Sequence, residues 1–340
     1  MRSMTVQRWL YINGLFGLIL IGAILIALLM GAEPISLSEM ARILEGVPHQ
    51  ADSAKAAILL QVRLPRILLA GLVGGILALC GVVFQALLRN PLADPFILGV
   101  SSGAALGAYL AMLFGLQSTV LGFTAMPLMA FAGGLMSIWF VYLIAKVDGQ
   151  LPITGLLLAG VVVNAVLSAL ILFITSVLDA GKVMNILVWV MGNIGSLDYR
   201  IIGTLAFYTL ISGVLLLMTA KPLNLLTLGE ESALTLGLPV ERVKKLLLVL
   251  TTFLTGAAVS VSGIIGFVGI IAPHAARMLV GPDHRVLLPA SALVGASFLI
   301  LADTIARTAL GPTEIPVGVL TALCGGPFFL ILLKTKKMHG

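Results

Sequence analysis

Long apolar runs separated by short polar joints dominate this chain. The runs at 10–30 and 67–88 each match the roughly 20 apolar residues that a helix needs to cross a bilayer. Runs at 96–115, 120–145, 153–178, 201–220 and 246–265 follow. A shorter run at 267–280 is interrupted by Pro273, His274 and Arg277, and runs at 286–306 and 317–333 complete the series. The pattern predicts an all-α integral membrane protein with ten transmembrane helices, organised as one domain over 1–340. The first run is longer than the ~7–15-residue core of a secretory signal, so it is expected to be a retained span. Pro273, flanked by Gly266 and Gly269, predicts a break in the eighth helix.

Three joints are longer than turns. The joint at 33–62 contains Ser36 followed by Glu39 and an apolar face at helical spacing, which predicts a short capped surface helix. The joint at 179–200 carries Trp189 and Tyr199, residues suited to the headgroup level. The joint at 221–245 is polar, holds Glu230, Glu231 and Glu241, and closes on a basic cluster. Glycines recur at close-packing intervals within the runs, as in Gly71/Gly74/Gly75, Gly99/Gly103/Gly107 and Gly133/Gly134, and predict tight helix contacts. Residues 74–81 are echoed by 256–263, five runs later, as an inverted repeat would require.

Composition and charge sharpen this picture. Apolar residues make up 60% of the chain and charged ones 10%, against about 25% charged in soluble domains. The net charge is +6. Its basic residues are scattered between apolar runs rather than gathered in a stripe, which argues against nucleic-acid binding. With the N-terminus inside, Arg2, Arg8, Arg89, Lys146, Lys221, Arg242, Lys244, Lys245, Arg277, Arg285, Lys334, Lys336 and Lys337 fall inside, against Arg42, Lys55, Arg63, Arg66, Lys182, Arg200 and Arg307 outside. The excess has the sign of the positive-inside rule, so both termini are expected in the cytoplasm of a cell with this protein in its inner membrane. Under this orientation 33–62 and 179–200 are outer loops, and 221–245 is the largest cytoplasmic loop. Cys80 and Cys324 lie inside apolar runs and read as packing residues.

Few residues offer chemistry. Arg63-Leu64-Pro65-Arg66 stands at the outer mouth of the second run, with arginines suited to carboxylates on a partner. Asp303 is the one acidic residue well inside a run, and Arg307, one turn on, is its expected neutralising partner. The prolines of 89–95 predict a rigid inner turn. His274 lacks a ligand at the spacing a metal site needs, so an inner-interface hydrogen bond is its expected role. No phosphate-binding Gly-x-x-x-x-Gly-Lys-Ser/Thr loop occurs, nor the motifs of serine hydrolases or zinc proteases. The chain is therefore expected to be no enzyme and to carry no cofactor of its own. A proton-coupled secondary transporter is the alternative reading, with Asp303 as its proton site.

The ordered stretches identify a family. Arg63-Leu64-Pro65-Arg66, Gly81 to Gln85 leading into Arg89-Asn90-Pro91-Leu92-Ala93, Leu228-Gly229-Glu230 and Leu236-Gly237-Leu238-Pro239 carry the first half of the resemblance. Gly266-Phe267-Val268-Gly269, Pro273-His274, Arg277, residues 283–289, Ala302-Asp303 and Glu314 to Gly318 carry the rest. The chain resembles the FecCD-type permeases of type II ABC importers, which serve cobalamin, haem and ferric siderophores. The resemblance implies a ten-helix permease pairing with a second copy, cytoplasmic ABC ATPase subunits that bind the ATP, and a periplasmic or lipid-anchored binding protein. It assigns binding-protein docking to Arg63, Arg66 and Arg307, and ATPase coupling to Leu228, Gly229, Glu230, Glu231, Leu236, Gly237, Leu238 and Pro239. It assigns the pathway wall to the fifth span, with Asn164 and Ser168 as its polar members.

Overall fold

The computed structural model describes residues 5–31, 33–45, 53–116, 119–120, 123–195, 198–311 and 313–337. Each apolar run forms a helix. Helix α1 (Val6–Leu29) is followed in the first long joint by α2 (Leu37–Leu44) and α3 (Ser53–Ala57), and α3 runs through a π-helical turn (Ile58–Arg63) into α4 (Leu64–Leu87). Then come α5 (Val100–Leu113), a two-residue hairpin pairing β1 (Thr119–Val120) with β2 (Phe123–Thr124), α6 (Ala125–Ala145) and α7 (Ile153–Val177). Helices α8 (Ala180–Val190), α9 (Tyr199–Met218), α10 (Ala220–Leu226), α11 (Glu230–Thr235) and α12 (Val240–Ser262) follow. The chain closes with α13 (Val268–Val280), α14 (His284–Thr308) and α15 (Val317–Lys337). Among the described residues seven helices are long and apolar enough to cross a membrane, and α5, α13 and α15 contribute shorter apolar stretches.

The loops hold more helix than polarity predicted. Ser36 caps α2 as expected: its hydroxyl accepts from Glu39 N at 3.3 Å, and the Glu39 carboxylate accepts from Ser36 N at 2.7 Å. The second span starts earlier than its apolar run, because α3 and the π-helical turn carry the helix back to Ser53. The joint at 179–200 is largely α8, with Trp189 in its last turn. Two turns of the joint at 221–245 become α10 and α11.

Helix α4 is the axis of the bundle. Of its 24 residues 19 are buried, and it packs on α1, α9, α12, α13 and α14. Glycine makes this possible. Gly74 lies against the backbone of Gly295 in α14, and Gly81 against that of Gly269 in α13, where a Cβ would collide with a carbonyl. Gly103 of α5 and Gly133 of α6 meet in the same way. Close backbone approach supplies the dispersion and weak polar contacts that hold helices together where water drives nothing. At the other extreme, α1 and α7 bury only one narrow face each.

The expected break at Pro273 is absent. Helix α13 runs unbroken past it, and the interruption lies before, at the non-helical residues 263–266. Proline at 273 deprives the Gly269 carbonyl of its i+4 donor. Gln85 of α4 extends its side-chain amide to that carbonyl, Nε2 to oxygen 3.5 Å. A neighbouring helix thus supplies what the proline removed, and no kink is required.

Candidate functional site

The two ends of the bundle carry different chemistry. One end gathers residues that charge counting put inside. Trp9 Nε1 donates to the Arg285 carbonyl at 3.0 Å, joining α1 to α14. Asn224 of α10 donates to Asp283 at 2.9 Å and accepts from His284 N at 2.9 Å, joining α10 to α14. The opposite end gathers Arg63, Arg66, Arg307 and Glu314 around one cleft of about 170 Å³.

At the first end, α11 and the residues flanking it carry exposed leucines. Leu228, Leu234 and Leu236 are exposed, together with Glu231, Gly237 and Pro239, while Ala233 is buried and Leu238 packs toward the core. Glu230 turns inward instead. Its carboxylate lies 3.0 Å from Lys244 Nζ, whose side chain is 2% exposed. Lys244 also reaches Glu241 at 2.6 Å and the Leu151 carbonyl at 2.7 Å. The second oxygen of Glu241 accepts from Leu151 N at 2.9 Å. An ammonium has three donors and no acceptor, and here all three are used. One buried lysine therefore clamps α11, the first turn of α12 and the segment that starts α7. Of the residues expected to couple to an ATPase, Leu228, Gly229, Glu230, Glu231, Leu236, Gly237, Leu238 and Pro239, only Glu230 enters this clamp; Leu234, Lys244 and Leu151 were not singled out from the sequence. Leucine at 234 follows the apolar spacing 228–234–236 only in part, and nothing local marks Lys244 apart from its neighbour.

A second cleft, of about 570 Å³, opens beside α11 and is walled by Arg89, Gln150, Thr154 and Glu231. Arg89 ends α4 in a left-handed conformation, φ 47°. The turn after it is stiff, as its prolines predicted: Asn90 Oδ1 accepts from Leu92 N at 3.0 Å and Asp94 Oδ1 from Phe96 N at 2.8 Å. Asp94 also holds the backbone N–H of Phe267, at the mouth of α13, and Pro95 rests on Gly269. Helices α5 and α13, of 14 and 13 residues, rise only about 20 Å each. Both follow a non-helical segment, they belong to runs three and eight of the series, and one carboxylate ties their openings together.

The arginine end is tied within the protein. Arg66 grips Asp303 through Nε and Nη2, at 2.9 Å each, and Glu314 through Nη1 at 2.8 Å. The expected Asp303–Arg307 pairing is therefore corrected: Asp303 is 2% exposed and faces α4, where the flat guanidinium fits both its oxygens. Arg307 instead donates to the Ala27 carbonyl at 2.5 Å. Arg63, 3% exposed, donates to the carbonyls of Leu28, at 2.9 Å, and Glu33. The three arginines converge, as grouped, but two are buried; Glu314, with 52% of its side chain exposed, is the open member of the cluster.

The pathway candidates separate. Asn164 is half-buried, accepts from Ser102 Oγ at 2.6 Å and donates to the Ile97 carbonyl at 3.4 Å, fastening α7 to the start of α5. Ser168 is exposed, on a face of α7 lined by Leu158, Val161 and Leu172. His274 stacks edge-on against Phe328 of α15, ring centroids 5.8 Å apart. Cys80 is buried, with its thiol 3.5 Å from the Thr251 carbonyl, whereas Cys324 is exposed, so only the first packs as its apolar run suggested.

Comparison with known proteins gives this architecture a context. The FecCD transport family profile matches residues 19–335. The cobalamin import system permease BtuC of Halobacterium salinarum is 45% identical over 295 residues, 86% of this chain and 77% of that protein. The hemin transport system permease HmuU of Yersinia pestis is 43% identical over 282 residues, 82% of this chain and 84% of that one. A solved inward-facing transporter assigned to the metal-chelate ABC type superposes with a TM-score of 0.82 at 33% identity, covering 96% of this chain and 99% of its own. The chain belongs to the FecCD transport family and is a transmembrane permease subunit of an ABC importer.

Proposed function

We propose that this permease crosses the membrane ten times, keeps both termini in the cytoplasm, and passes a metal chelate (a ferric siderophore, haem or cobalamin) from a binding protein to the cytoplasm as one of two identical copies. The observation that carries the reading is the set of exposed leucines on and beside α11, a helix held to the base of α7 by buried Lys244. An ABC ATPase that seats on Leu228, Leu234 and Leu236 moves α7 through that clamp. The uncharged sequence of α7, 153–177, suits a wide pathway that releases bulky cargo, since a tight site would slow its departure. The relatives' names, cobalamin and hemin, and the metal-chelate type of the structural relative support the cargo class. Ser168, exposed on α7, and Asn164, which is bonded to the start of α5, are the candidate wall residues.

Docking of the binding protein belongs to the opposite end. A glutamate of the partner replaces Glu314 on Arg66 and approaches Arg63 and Arg307. The secondary-transporter alternative is set aside, because Asp303 is engaged by a fork of Arg66 hydrogen bonds rather than free to carry a proton. The test is ATP hydrolysis by the permease co-purified with an ABC ATPase in nanodiscs, with and without the binding protein. Stimulation by the binding protein, lost with Leu234→Glu/Leu236→Glu, is the expected result. Failure to hold any ATPase overturns the reading.

A further inference from the structure

A groove of about 460 Å³ runs along the bundle between α6 and α12. Leu135, Ile138, Trp139 and Tyr142 form one wall at spacing i, i+3, i+4, i+7, and Lys245, Leu248, Val249 and Phe253 form the other at a similar spacing. Trp139 stands 55% exposed on the rim. Edge-to-face contacts of Phe253 with Phe131, centroids 5.6 Å apart, and with Tyr208, at 5.3 Å, close the deep end. The surface inside is almost wholly apolar, with two exceptions. Thr252 is 2% exposed and its hydroxyl has no hydrogen-bond partner among the described residues. Lys245 is half-buried at the end of the groove next to α11.

The two adjacent lysines of α12 contrast sharply. Lys244 is saturated by Glu230, Glu241 and Leu151. Lys245, about 100° further round the helix, has no acidic partner among the described residues. Lys146, closing α6 at the same end, lies over the Tyr142 ring, 5.9 Å from its centroid. The groove is thus an apolar trough within the length of two spanning helices, capped at one end by two cations.

We propose that this groove binds an anionic phospholipid: one acyl chain lies along the Trp139 and Val249 walls, and the phosphate sits on Lys245 in the leaflet on the α11 side. Charge complementarity decides the occupant. A zwitterionic lipid brings its own cation to that end, and an apolar protein face leaves Lys245 half-buried and unpaired. Occupied in this way, the site sits one residue from the Lys244 clamp and stiffens the first turn of α12.

The test uses the full chain in phosphatidylcholine nanodiscs doped with phosphatidylglycerol that carries a photoreactive acyl chain, with the same chain on phosphatidylcholine in a parallel arm. Labelled peptides are read by mass spectrometry. Phosphatidylglycerol should label 131–142 and 245–253 about fivefold over phosphatidylcholine, the effect of one basic residue near an anionic headgroup. Lys245→Gln should erase that preference and Lys245→Arg keep it. Unchanged labelling by the phosphatidylcholine probe in the Gln variant shows that the groove is intact. Equal labelling by both lipids in the wild type means ordinary boundary lipid and overturns the proposal. A preference that survives Lys245→Gln, or protection of both stretches by a second protein chain, overturns it as well.

Discussion

Replacing Lys244 with methionine isolates the clamp between α11 and the base of α7. Methionine keeps the length of the stem and suits a buried site, so packing changes little. What disappears is the ammonium, with its contacts of 3.0 Å to Glu230, 2.6 Å to Glu241 and 2.7 Å to the Leu151 carbonyl. Three charge-assisted contacts at roughly 1.5–3 kcal/mol each overstate the loss. Glu230 and Glu241 are about a third exposed, at 30% and 31%, and recover water, and the desolvation of a 2%-exposed lysine is relieved. The Leu151 carbonyl recovers no partner. A net loss of about 2–3 kcal/mol follows, dominated by that orphaned carbonyl and the residual charge pairing. At the scale of larger domains this lowers the melting temperature by roughly 5 °C. The functional consequence is the sharper one. Transport per ATP hydrolysed should fall, because α11 then moves without pulling the 151 segment, while hydrolysis itself persists. Paired measurement of cargo uptake and ATP hydrolysis in proteoliposomes reads this ratio. Glu230→Gln supplies the control for stability, since Lys244 keeps Glu241 and Leu151. A Lys244→Met permease with wild-type transport per ATP would refute the lever.

Four further outcomes follow from the same geometry. Glu314→Gln should free one arm of Arg66 and tighten binding-protein docking severalfold, measured by surface plasmon resonance at low salt, whereas Arg307→Gln should weaken it; charge reversal at Arg66 is unsuitable, since it would bury a second carboxylate beside Asp303. Gly74→Ala should cost roughly 1–3 kcal/mol by forcing α4 off the Gly295 backbone, while Gly14→Ala, with open space around it, should leave the melting curve unchanged or raise it. Asp94→Asn should loosen the mouth of α13, read as faster hydrogen exchange at 267–272 with unchanged exchange in α4. The hydrogen bond from Arg285 holds the Asp283 carboxyl at about 2, below its usual 3.8; its folded pKa is depressed, so its stabilisation is complete above 3.8 and lost as pH falls through about 2. A variant keeping only Trp9, whose indole bonds Arg285, should show that loss as a fluorescence change in acid that Asp283→Asn removes.

Much of this fold is visible in the sequence, because a membrane makes hydrophobicity the whole signal for a helix. The ten apolar runs became helices within a few residues, and the Ser36–Glu39 box marked α2 through chemistry confined to four consecutive residues. The misses share a cause: each depends on a partner remote in sequence. Asp303 has a suitable arginine four residues on, yet the residue that holds it is 237 positions away in α4. Pro273 ought to break α13, and the amide that prevents it comes from Gln85. Lys244 and Lys245 are the same residue side by side, and only the direction each leaves α12 makes one a structural clamp and the other an unpaired cation in a groove. The joint at 221–245 was legible as a polar island between apolar runs, but which of its leucines are exposed required the turns around α11.

The two ends also differ in how easily they yield, and this bears on how the permease works. At the arginine end the grip of Arg66 on Asp303 is buried, bidentate and joins α4 to α14, a pair packed closely through glycines. Such a contact opens as a unit or not at all. At the α11 end the lysine is buried, but its carboxylates touch water, so Glu230 can leave Lys244 at a fraction of that cost. A push on the exposed leucines around α11 therefore meets a joint able to exchange partners, beside a helix, α7, that buries only one narrow face. Asp94 links the segment that leads into α5 with the mouth of α13, so those two openings should move together. Access should consequently change first on the α11 side, with α7 and the two short helices displaced as a group against a fixed pair of α4 and α14.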